Sequence, residues 1–281
     1  MAKNDGILKI QGTLENLTFY KTQDGSLVRT KGGVSKKRIM NDPAFARTRE
    51  NLSEFANSAH AGKVMRMSVN ELMQTARDNR VTSRLTQVMS QIQKMDTVNI
   101  RGKRQVSVGL ESAEGKVALT RFDFNNRAPL GSILLAPYSV DGVTGEVNIP
   151  GFVPAIYLSS PQGSTHVSLR SSFIKADFET GIYSGGSSPV QTLPLDMTSS
   201  NISLIPSTVP GGSGVSFILL LVEFFQEVNA VQYPLRNGAH NSLSILEVLY
   251  LKPVLDWKNP VLYECGVFCL TFNVHRSAFN V

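Results

Sequence analysis

Short apolar runs alternate with polar residues at the beginning of the chain. Residues 7–10, 14–20 and 27–30 have the composition of strands, and Asp24-Gly25 is a strong hairpin signal. The sequence therefore predicts a small antiparallel unit over residues 1–31. A unit of this size is not stable alone, so it has to pack on other residues.

The spacing of apolar residues then changes to a helical period. Asp42 is a predicted helix cap and Pro43 a predicted first helical residue, where its missing N–H does no harm. The apolar residues that follow at spacings of seven, three and four are Phe45, Leu52, Phe55 and Ala59. This spacing places them on one face, which we expect to be buried.

A second helix is predicted after a turn at residues 78–80. Thr82 or Ser83 is its expected cap. The same apolar stripe continues in Leu85, Val88, Met89 and Ile92. The two helices and the turn between them predict a helical hairpin. Methionine at helical spacing is typical of core filling.

From residue 105 onward, short apolar runs are separated by turn residues. The predicted strands are residues 106–110, 116–124, 132–136, 146–149, 166–172, 202–205, 215–228, 242–251 and 267–274. Many strands at this spacing are typical of an antiparallel β-sandwich, Ig-like or jelly-roll-like. The predicted fold is therefore α+β: a basic module of hairpin and helices over residues 1–104, then a β-sandwich domain over 105–281.

Two five-residue segments of the second part share the pattern Asp-x-x-Thr-Gly. They are residues 141–145 and 177–181. The match suggests an internal repeat, but turns reuse these residue types in any case. Both explanations stay open at the level of the sequence.

Charge divides the chain at the same place as the predicted elements. Residues 1–104 hold 19 Lys and Arg against 9 Asp and Glu, a net charge of +10; the remaining 9 and 13 give −4, and the sum is the +6 of the whole chain. The second part is also poor in charge. A surface rich in Ser, Thr and Asn explains this poverty, and so does coverage by neighbouring subunits.

Motifs of known enzyme chemistry are missing from the sequence. It contains no Walker A loop, no GxSxG, no HExxH and no GxGxxG that enters a helix. Glu223 and Glu227 lie about 13 Å apart along a strand, which is too far to assume an acid/base pair. We therefore expect no catalytic residue, no cofactor and no enzymatic activity.

Cys265 and Cys269, followed by His275, are the nearest approach to a metal pattern. A structural zinc site normally needs a second compact pair of ligands, and the sequence has none. Buried free thiols are the favoured interpretation. The other histidines, His60 and His166 among them, are scattered over dissimilar segments.

Basic residues of the first module are candidates for an assembly or nucleic-acid surface. They are Lys36, Lys37, Arg38, Arg47, Arg49, Lys63, Arg66, Arg77, Arg80, Arg84 and the basic residues of 101–104. Such residues can neutralise phosphates, dock on an acidic neighbouring chain or lie on a solvated helix face. Few aromatic residues accompany them for stacking on bases.

The opening segments carry a resemblance. Residues 6–21, 24–25, 27–29, 31–34 and 41–51, with Glu54 and Phe55, resemble proteins of no established activity encoded in Bacteroidota genomes and their phages. The hairpin ending in Val-Arg before an Asp-Pro helix is also similar to small structural proteins of tailed phages. The resemblance covers about the first 65 residues and implies a particle subunit, with no residue role to carry over.

Three functional hypotheses follow. The first is a self-assembling structural subunit of a virion, a phage-derived particle or a filament, present as many copies and in contact with other particle proteins. The second is a non-catalytic binding module for a carbohydrate or protein, and the third a nucleic-acid-associated protein. No signal peptide is expected, because the first six residues lack an apolar h-region and a small-residue cleavage site. No membrane span is expected, because the longest apolar run covers only residues 217–222. Synthesis in the cytoplasm followed by incorporation into a particle or filament is the expected localisation.

Overall fold

The computed structural model describes residues 2–3, 10–23, 25–30 and 33–250. It divides into two compact units between Leu52 and Ser53. We call residues 2–52 the N-terminal unit and residues 53–250 the second unit. The boundary predicted from the sequence, after residue 104, separates a basic module from a β-rich one and differs from this division into compact units. The predicted strand at 267–274 and the cysteines at 265 and 269 with His275 lie outside the described residues.

The N-terminal unit contains a four-stranded antiparallel sheet. Its strands are β1 (Ala2–Lys3), β2 (Gly12–Leu14), β3 (Leu17–Thr22) and β4 (Gly25–Thr30), in the order β1-β4-β3-β2. The hairpin predicted between β3 and β4 is confirmed, with Thr22 opposite Gly25. The single strand predicted over residues 14–20 is wrong, because a two-residue turn at Glu15 and Asn16 divides it. Glu15 has a φ of 49° in this turn, a left-handed conformation that residues other than glycine adopt mainly in turns.

Two helical segments follow this sheet. They are α1 (Lys36–Asn41) and, after a 3₁₀ turn over Pro43–Phe45, the long helix α2 (Ala46–Ser68). The predicted cap is confirmed: the Asp42 carboxylate accepts a hydrogen bond from the Ala44 amide, and Pro43 stands at the first position. The Ser35 hydroxyl caps α1 in the same way, through the Arg38 amide.

The helices of the second unit include the predicted helical hairpin. After α2 come α3 (Asn70–Met73), α4 (Val81–Gln93), α5 (Val106–Gly109), α6 (Ala113–Leu119), α7 (Leu130–Ile133) and α8 (Pro154–Tyr157). Leu85, Met89 and Ile92 are fully buried, which confirms the stripe on α4. The predicted cap is wrong, because α4 begins at Val81, so Thr82 and Ser83 lie inside the helix, and no side chain caps it from the N-cap position.

The second unit also contains two antiparallel sheets. Its strands are β5 (Ser139–Val140), β6 (Val147–Phe152), β7 (His166–Ala176), β8 (Tyr183–Ser187), β9 (Gln191–Pro194), β10 (Ser200–Leu204), β11 (Val215–Val228), β12 (Val231–Pro234) and β13 (Ser242–Leu249). The small sheet has the order β10-β6-β5. In the large sheet β11 pairs with β7 on one side and with β12 and β13 on the other, and β7 also pairs with β8 and β9.

Alternate residues of β11 belong to two different cores. Phe217, Leu219 and Leu221 pack in a core with buried residues of α2 and α4, which we call the helical core. Ile218, Leu220, Val222 and Phe224 pack with Val147, Ile149 and Phe152 of the small sheet, in what we call the sheet core. Because successive strand residues face opposite sides, helices cover one face of the large sheet and the small sheet covers the other. The predicted α+β class is confirmed.

A β-bulge keeps β13 in this arrangement. The pairing of β13 with β11 shifts between Ile218 and Leu219. Before the bulge Leu243 and Ile245 face the helical core, and after it Val248 does, so the extra residue changes the parity of the strand. A β-bulge therefore lets both ends of β13 contribute to the same core.

The two-sided burial of the large sheet accounts for the low charge of the second half of the chain. All residues of β11 from Val215 to Val222 are buried, and so are eight of the ten residues from Val167 to Ala176, the exceptions being the partly exposed Arg170 and Lys175. Charged residues are rarely buried without a partner. Part of the charge poverty thus reflects burial inside the chain rather than a covered outer surface.

Helices replace much of three predicted strands. The segment 106–110 contains α5, the segment 116–124 begins with the C-terminal part of α6, and the segment 132–136 begins with the end of α7. Gly109 and Gly115 serve close packing: a Cβ on Gly109 would lie 2.1 Å from the Ile92 carbonyl oxygen, and one on Gly115 would lie 2.1 Å from the Gly109 carbonyl oxygen. The ends of the second and third segments are extended: the Phe124 amide donates to the Leu243 carbonyl beside β13, and Leu134 forms an isolated bridge with Leu158.

The segment around the predicted module boundary is fastened to the helices. The buried carboxylate of Asp96 accepts hydrogen bonds from the amides of Val98, Asn99 and Gln105. The Gln93 side chain donates to the Arg104 carbonyl. Residues 97–105 are therefore an ordered connection between α4 and α5 rather than a free linker.

The two Asp-x-x-Thr-Gly segments form the same turn. In each, the aspartate amide donates to the carbonyl five residues later, the glycine amide donates back to the aspartate carbonyl, and the carboxylate accepts the amide two residues on. Gly145 and Gly181 both have a φ of 76°. One turn joins β5 to β6 and the other joins β7 to β8, so the shared residues encode a shared hairpin geometry.

No helix in the described ranges is long and apolar enough to cross a membrane.

Candidate functional site

The N-terminal unit forms no core among the residues that the structure describes. None of its described residues from Ile10 to Leu52 is buried. Large apolar side chains are instead exposed on it, and they are Ile10, Leu14, Leu17, Val34, Met40 and Leu52. Strand β2 stands at one end of the four-stranded sheet, so its outer edge has no strand beside it within the described residues. An apolar surface and an open strand edge thus occur together in this unit.

Arg38 and Arg49 hold the corner between α1 and α2. The Arg38 guanidinium pairs with Asp42 at 3.2 Å and lies over the Phe45 ring. Arg49 donates to the carbonyl oxygens of Ile39 and Asp42 at 2.7 and 2.9 Å. These two candidates of the predicted basic face therefore have structural partners within their own unit.

Lys36, Lys37 and Arg47 are the free cations of the N-terminal unit's predicted basic face. All three are exposed. Among the described residues they have no hydrogen-bond or ion-pair partner. They remain available to an external acidic group.

Arg84 closes a network inside the second unit. Its guanidinium donates to the Asp78 carboxylate and to the carbonyl oxygens of Asp123 and Phe124, and it lies over the Phe122 ring at 5.1 Å. The Asp78 side chain is only 9% exposed. Arg84 therefore joins the turn before α4 to the segment beside β13, and it does not contribute to an open basic surface.

Burial and hydrogen bonding act in opposite directions on the two aspartates of this network. Burial alone raises the pKa of Asp78, but hydrogen bonds from the amides of Asn126 and Arg80 and from Arg84 outweigh it and lower the pKa. For Asp123 burial is the larger effect, so its pKa is raised despite a hydrogen bond from the Leu130 amide.

Arg66 and Arg77 lie on one cleft, together with Lys63. The cleft has a volume of about 220 Å³, and we call it the basic cleft. Its polar lining residues are Lys63, Arg66, Asn70, Arg77 and Thr82, and Val81 at the start of α4 also lines it. Burial lowers the pKa of Arg66. Arg80 precedes α4 outside this lining and is exposed.

Asn70 and Thr82 are the uncharged polar residues of this cleft, and the sequence did not indicate them. The signal available was the i, i+3 and i+7 spacing of Lys63, Arg66 and Asn70, which places them along one side of consecutive helical turns. The return of the chain at residues 74–80, which brings Arg77 and Thr82 to the same place, has no local signature. Tertiary packing of α4 on α2 creates it.

The predicted apolar face of α2 is only partly buried. Leu52 is 53% exposed and Phe55 is 62% exposed, so the expectation that they belong to a core is wrong for both. Ser58, Ala61 and Met65 are buried instead, on a different side of the helix. The small residues Ser58, Ala61 and Gly62 allow close packing, as the 3.6 Å between a Gly62 Cβ and the Thr86 hydroxyl indicates.

The paired glutamates of β11 have separate partners. Glu227 lies 3.4 Å from the His166 imidazole, and Glu223 accepts a hydrogen bond from the Ser168 hydroxyl at 3.5 Å. They are therefore not a shared acid/base pair. Within the residues that the structure describes, no group of three His, Cys, Asp or Glu side chains is placed to hold a metal ion.

Comparison of the chain with protein-family models, with curated proteins and with solved structures finds no match. A functional proposal therefore rests on the geometry of the two units.

Proposed function

We propose that this protein is a structural subunit that assembles with other copies of itself, in a virion, a phage-derived particle or a filament. The observation that carries the proposal is the N-terminal unit, in which four strands are hydrogen-bonded and no described residue is buried. A sheet without a core is marginal in water. A surface on another copy of the chain supplies the missing cover.

The chemistry of the N-terminal unit supports contact with protein. Its exposed side chains at Leu14 and Leu17 flank the turn at the open end of the sheet. Apolar patches of this kind mark interaction surfaces, and an open strand edge can pair with a strand of another chain. Lys36, Lys37 and Arg47 add exposed positive charge, which suits an acidic neighbouring surface.

The test is the mass of the full chain in solution as a function of concentration. Light scattering coupled to gel filtration is expected to show a species of many copies, and negative-stain electron microscopy is expected to show regular rings, tubes or fibres. The double variant Leu14→Lys with Leu17→Lys is expected to remain monomeric, because charge at the docking surface opposes its burial.

Val117→Lys with Val143→Lys is the matched control. These two valines of the second unit are 72% and 71% exposed, against 62% and 40% for the two leucines, so the control adds the same charge to apolar positions that are also exposed. It is expected to assemble as the unaltered chain does. A chain that stays monomeric at about 100 µM, or equal loss of assembly in both double variants, contradicts the proposal.

A further inference from the structure

We propose that the basic cleft of the second unit binds a single phosphate group. Three cationic side chains, Lys63, Arg66 and Arg77, line one cleft that contains no carboxylate. Cations gathered without an acidic partner repel one another, and an anion between them removes this repulsion. The site is separate from the N-terminal unit, and its argument does not depend on assembly.

The acidic residues nearest in sequence are engaged elsewhere. Glu71 accepts a hydrogen bond from Arg170 at 2.8 Å, and Asp78 accepts from Arg84. Within the described ranges, Lys63, Arg66 and Arg77 have no ion-pair partner at all. The positive charge of the cleft is therefore not neutralised by the protein itself.

Arg66 supplies the most specific observation. Its Nη1 atom is buried and has no hydrogen-bond acceptor among the described residues. Buried donors in native structures almost always have an acceptor, so this guanidinium retains a hydrogen-bond donor that the protein does not use. Burial also lowers the pKa of Arg66, which is the signature of a desolvated cation. An oxyanion offers the acceptors that this guanidinium lacks.

The start of α4 adds backbone donors to the same cleft. Val81 and Thr82, in the first turn of this 13-residue helix, line it. No side chain caps the helix from the N-cap position, and the first turn contains no acidic residue. The first amides of a helix have no acceptor within the helix and carry partial positive charge. Together with the Asn70 amide and the Thr82 hydroxyl, they suit a tetrahedral anion.

The size of the cleft favours one phosphate group over a larger ligand. Its volume of about 220 Å³ lies below the ~300–1,000 Å³ of sites for drug-sized molecules. No aromatic side chain lines it, so it offers no surface for stacking a base. Free phosphate and the phosphate of a larger molecule share this chemistry, and the experiment separates them.

The experiment measures thermal unfolding of the full chain in inorganic phosphate and in sodium chloride at matched ionic strength. Phosphate is expected to raise the melting temperature of the unaltered chain beyond chloride, because a ligand of the native state stabilises it. Arg77→Gln and Lys63→Gln are each expected to weaken phosphate affinity about tenfold or more, the loss typical of a charge-assisted hydrogen bond. Both residues are exposed, so these variants preserve the packing.

Arg127→Gln is the matched control, since Arg127 is exposed and stands outside the cleft. It is expected to leave phosphate affinity within about twofold of the unaltered chain. Arg66→Lys keeps the charge and loses the guanidinium fork, so it is expected to weaken binding as well. Equal stabilisation by phosphate and chloride overturns the proposal, as does an equal loss in Arg127→Gln.

A single-stranded oligonucleotide in the same assay distinguishes the sources of phosphate. Stabilisation by inorganic phosphate with no additional effect of the oligonucleotide supports a discrete phosphate group. Stabilisation by the oligonucleotide alone, with a steep dependence on salt and no response to inorganic phosphate, overturns the proposal in favour of a nucleic-acid surface.

Discussion

The N-terminal unit and the second unit obtain order from different sources. Strands β7 and β11 pair over eleven positions and are covered on both faces, whereas β3 and β4 pair over six positions and bury nothing. Backbone hydrogen bonds are therefore present in both, and apolar burial only in one. Since apolar burial is the dominant favourable term in folding, the comparison separates a unit with two apolar cores from a unit whose described residues bury no apolar side chain.

The largest expected effect is a pair of leucine truncations, one in each unit. Leu220→Ala, in the sheet core, is expected to lower the free energy of unfolding by about 2–5 kcal/mol, because the side chain is fully buried. Leu14→Ala removes the same atoms from a side chain that is 62% exposed, and is expected to change it by less than about 0.5 kcal/mol. Chemical denaturation of dilute protein measures both. Similar losses at the two positions would remove the distinction between the units.

A smaller effect is expected from the arginine that closes the network beside α4. Arg84→Gln is expected to cost about 2 kcal/mol, less than the 3–5 kcal/mol of a fully buried pair, because the Arg84 side chain is 25% exposed. Arg77→Gln, at an exposed cation of the same unit, is expected to cost less than about 0.5 kcal/mol in the absence of phosphate. Denaturation curves of the two variants test the contrast, and equal costs would contradict it.

The Arg84 effect is also expected to depend on pH. The pKa of Asp78 is lowered in the folded protein, so its carboxylate stabilises the fold above the ordinary pKa of 3.8, and this contribution is lost as pH falls through the lowered value. Arg84→Gln removes part of that contribution. The difference in unfolding free energy between the unaltered chain and the variant is therefore expected to be constant above about pH 5 and to narrow as the pH falls from there through 3.8 and the lowered value. A difference that stays constant through this fall in pH would exclude the ion pair as its origin.

The smallest effect on stability is expected from the largest change in the chain. Deleting residues 1–40 is expected to shift the melting temperature of the monomeric protein by less than about 2 °C, because no described residue among them is buried. Calorimetry at low protein concentration measures the shift, and light scattering on the same sample reports whether assembly is lost. A fall of more than about 5 °C would assign these residues to the fold of the second unit.

Sequence patterns predicted the two central strands of the large sheet well because these strands are long. The strand predicted over residues 215–228 has the same bounds as β11, the one at 166–172 lies within β7, and in the small sheet the one at 202–205 overlaps β10. Strands β8 and β9 were missed, and so was the hairpin into β12. Asn229 and Ala230 form its turn with φ values of 53° and 61°, a conformation that glycine would have signalled and alanine does not.

The failures have a common physical cause. Residues 106–119 are short apolar runs with glycines, and such runs fit a buried helix as well as a strand. Gly109 and Gly115 allow backbones to approach, which is a tertiary requirement that a single sequence does not distinguish from a turn. The exposure of Leu52 and Phe55 has the same origin, since periodicity shows which residues share a face and not whether a partner covers it. The sequence also does not distinguish Arg84, which hydrogen-bonds to Asp78 and to two carbonyl oxygens, from Arg66 and Arg77, which have no ion-pair partner among the described residues. Only the fold separates them.

Strand β11 separates the helical core from the sheet core and contributes side chains to both. Its odd-numbered residues from Phe217 to Leu221 complete the helical core and its even-numbered residues from Ile218 to Phe224 complete the sheet core. Displacement of β11 would therefore remove side chains from both cores at once. The helices and the small sheet therefore share one strand, and we expect the second unit to unfold as a single cooperative body even though its apolar interior is divided in two.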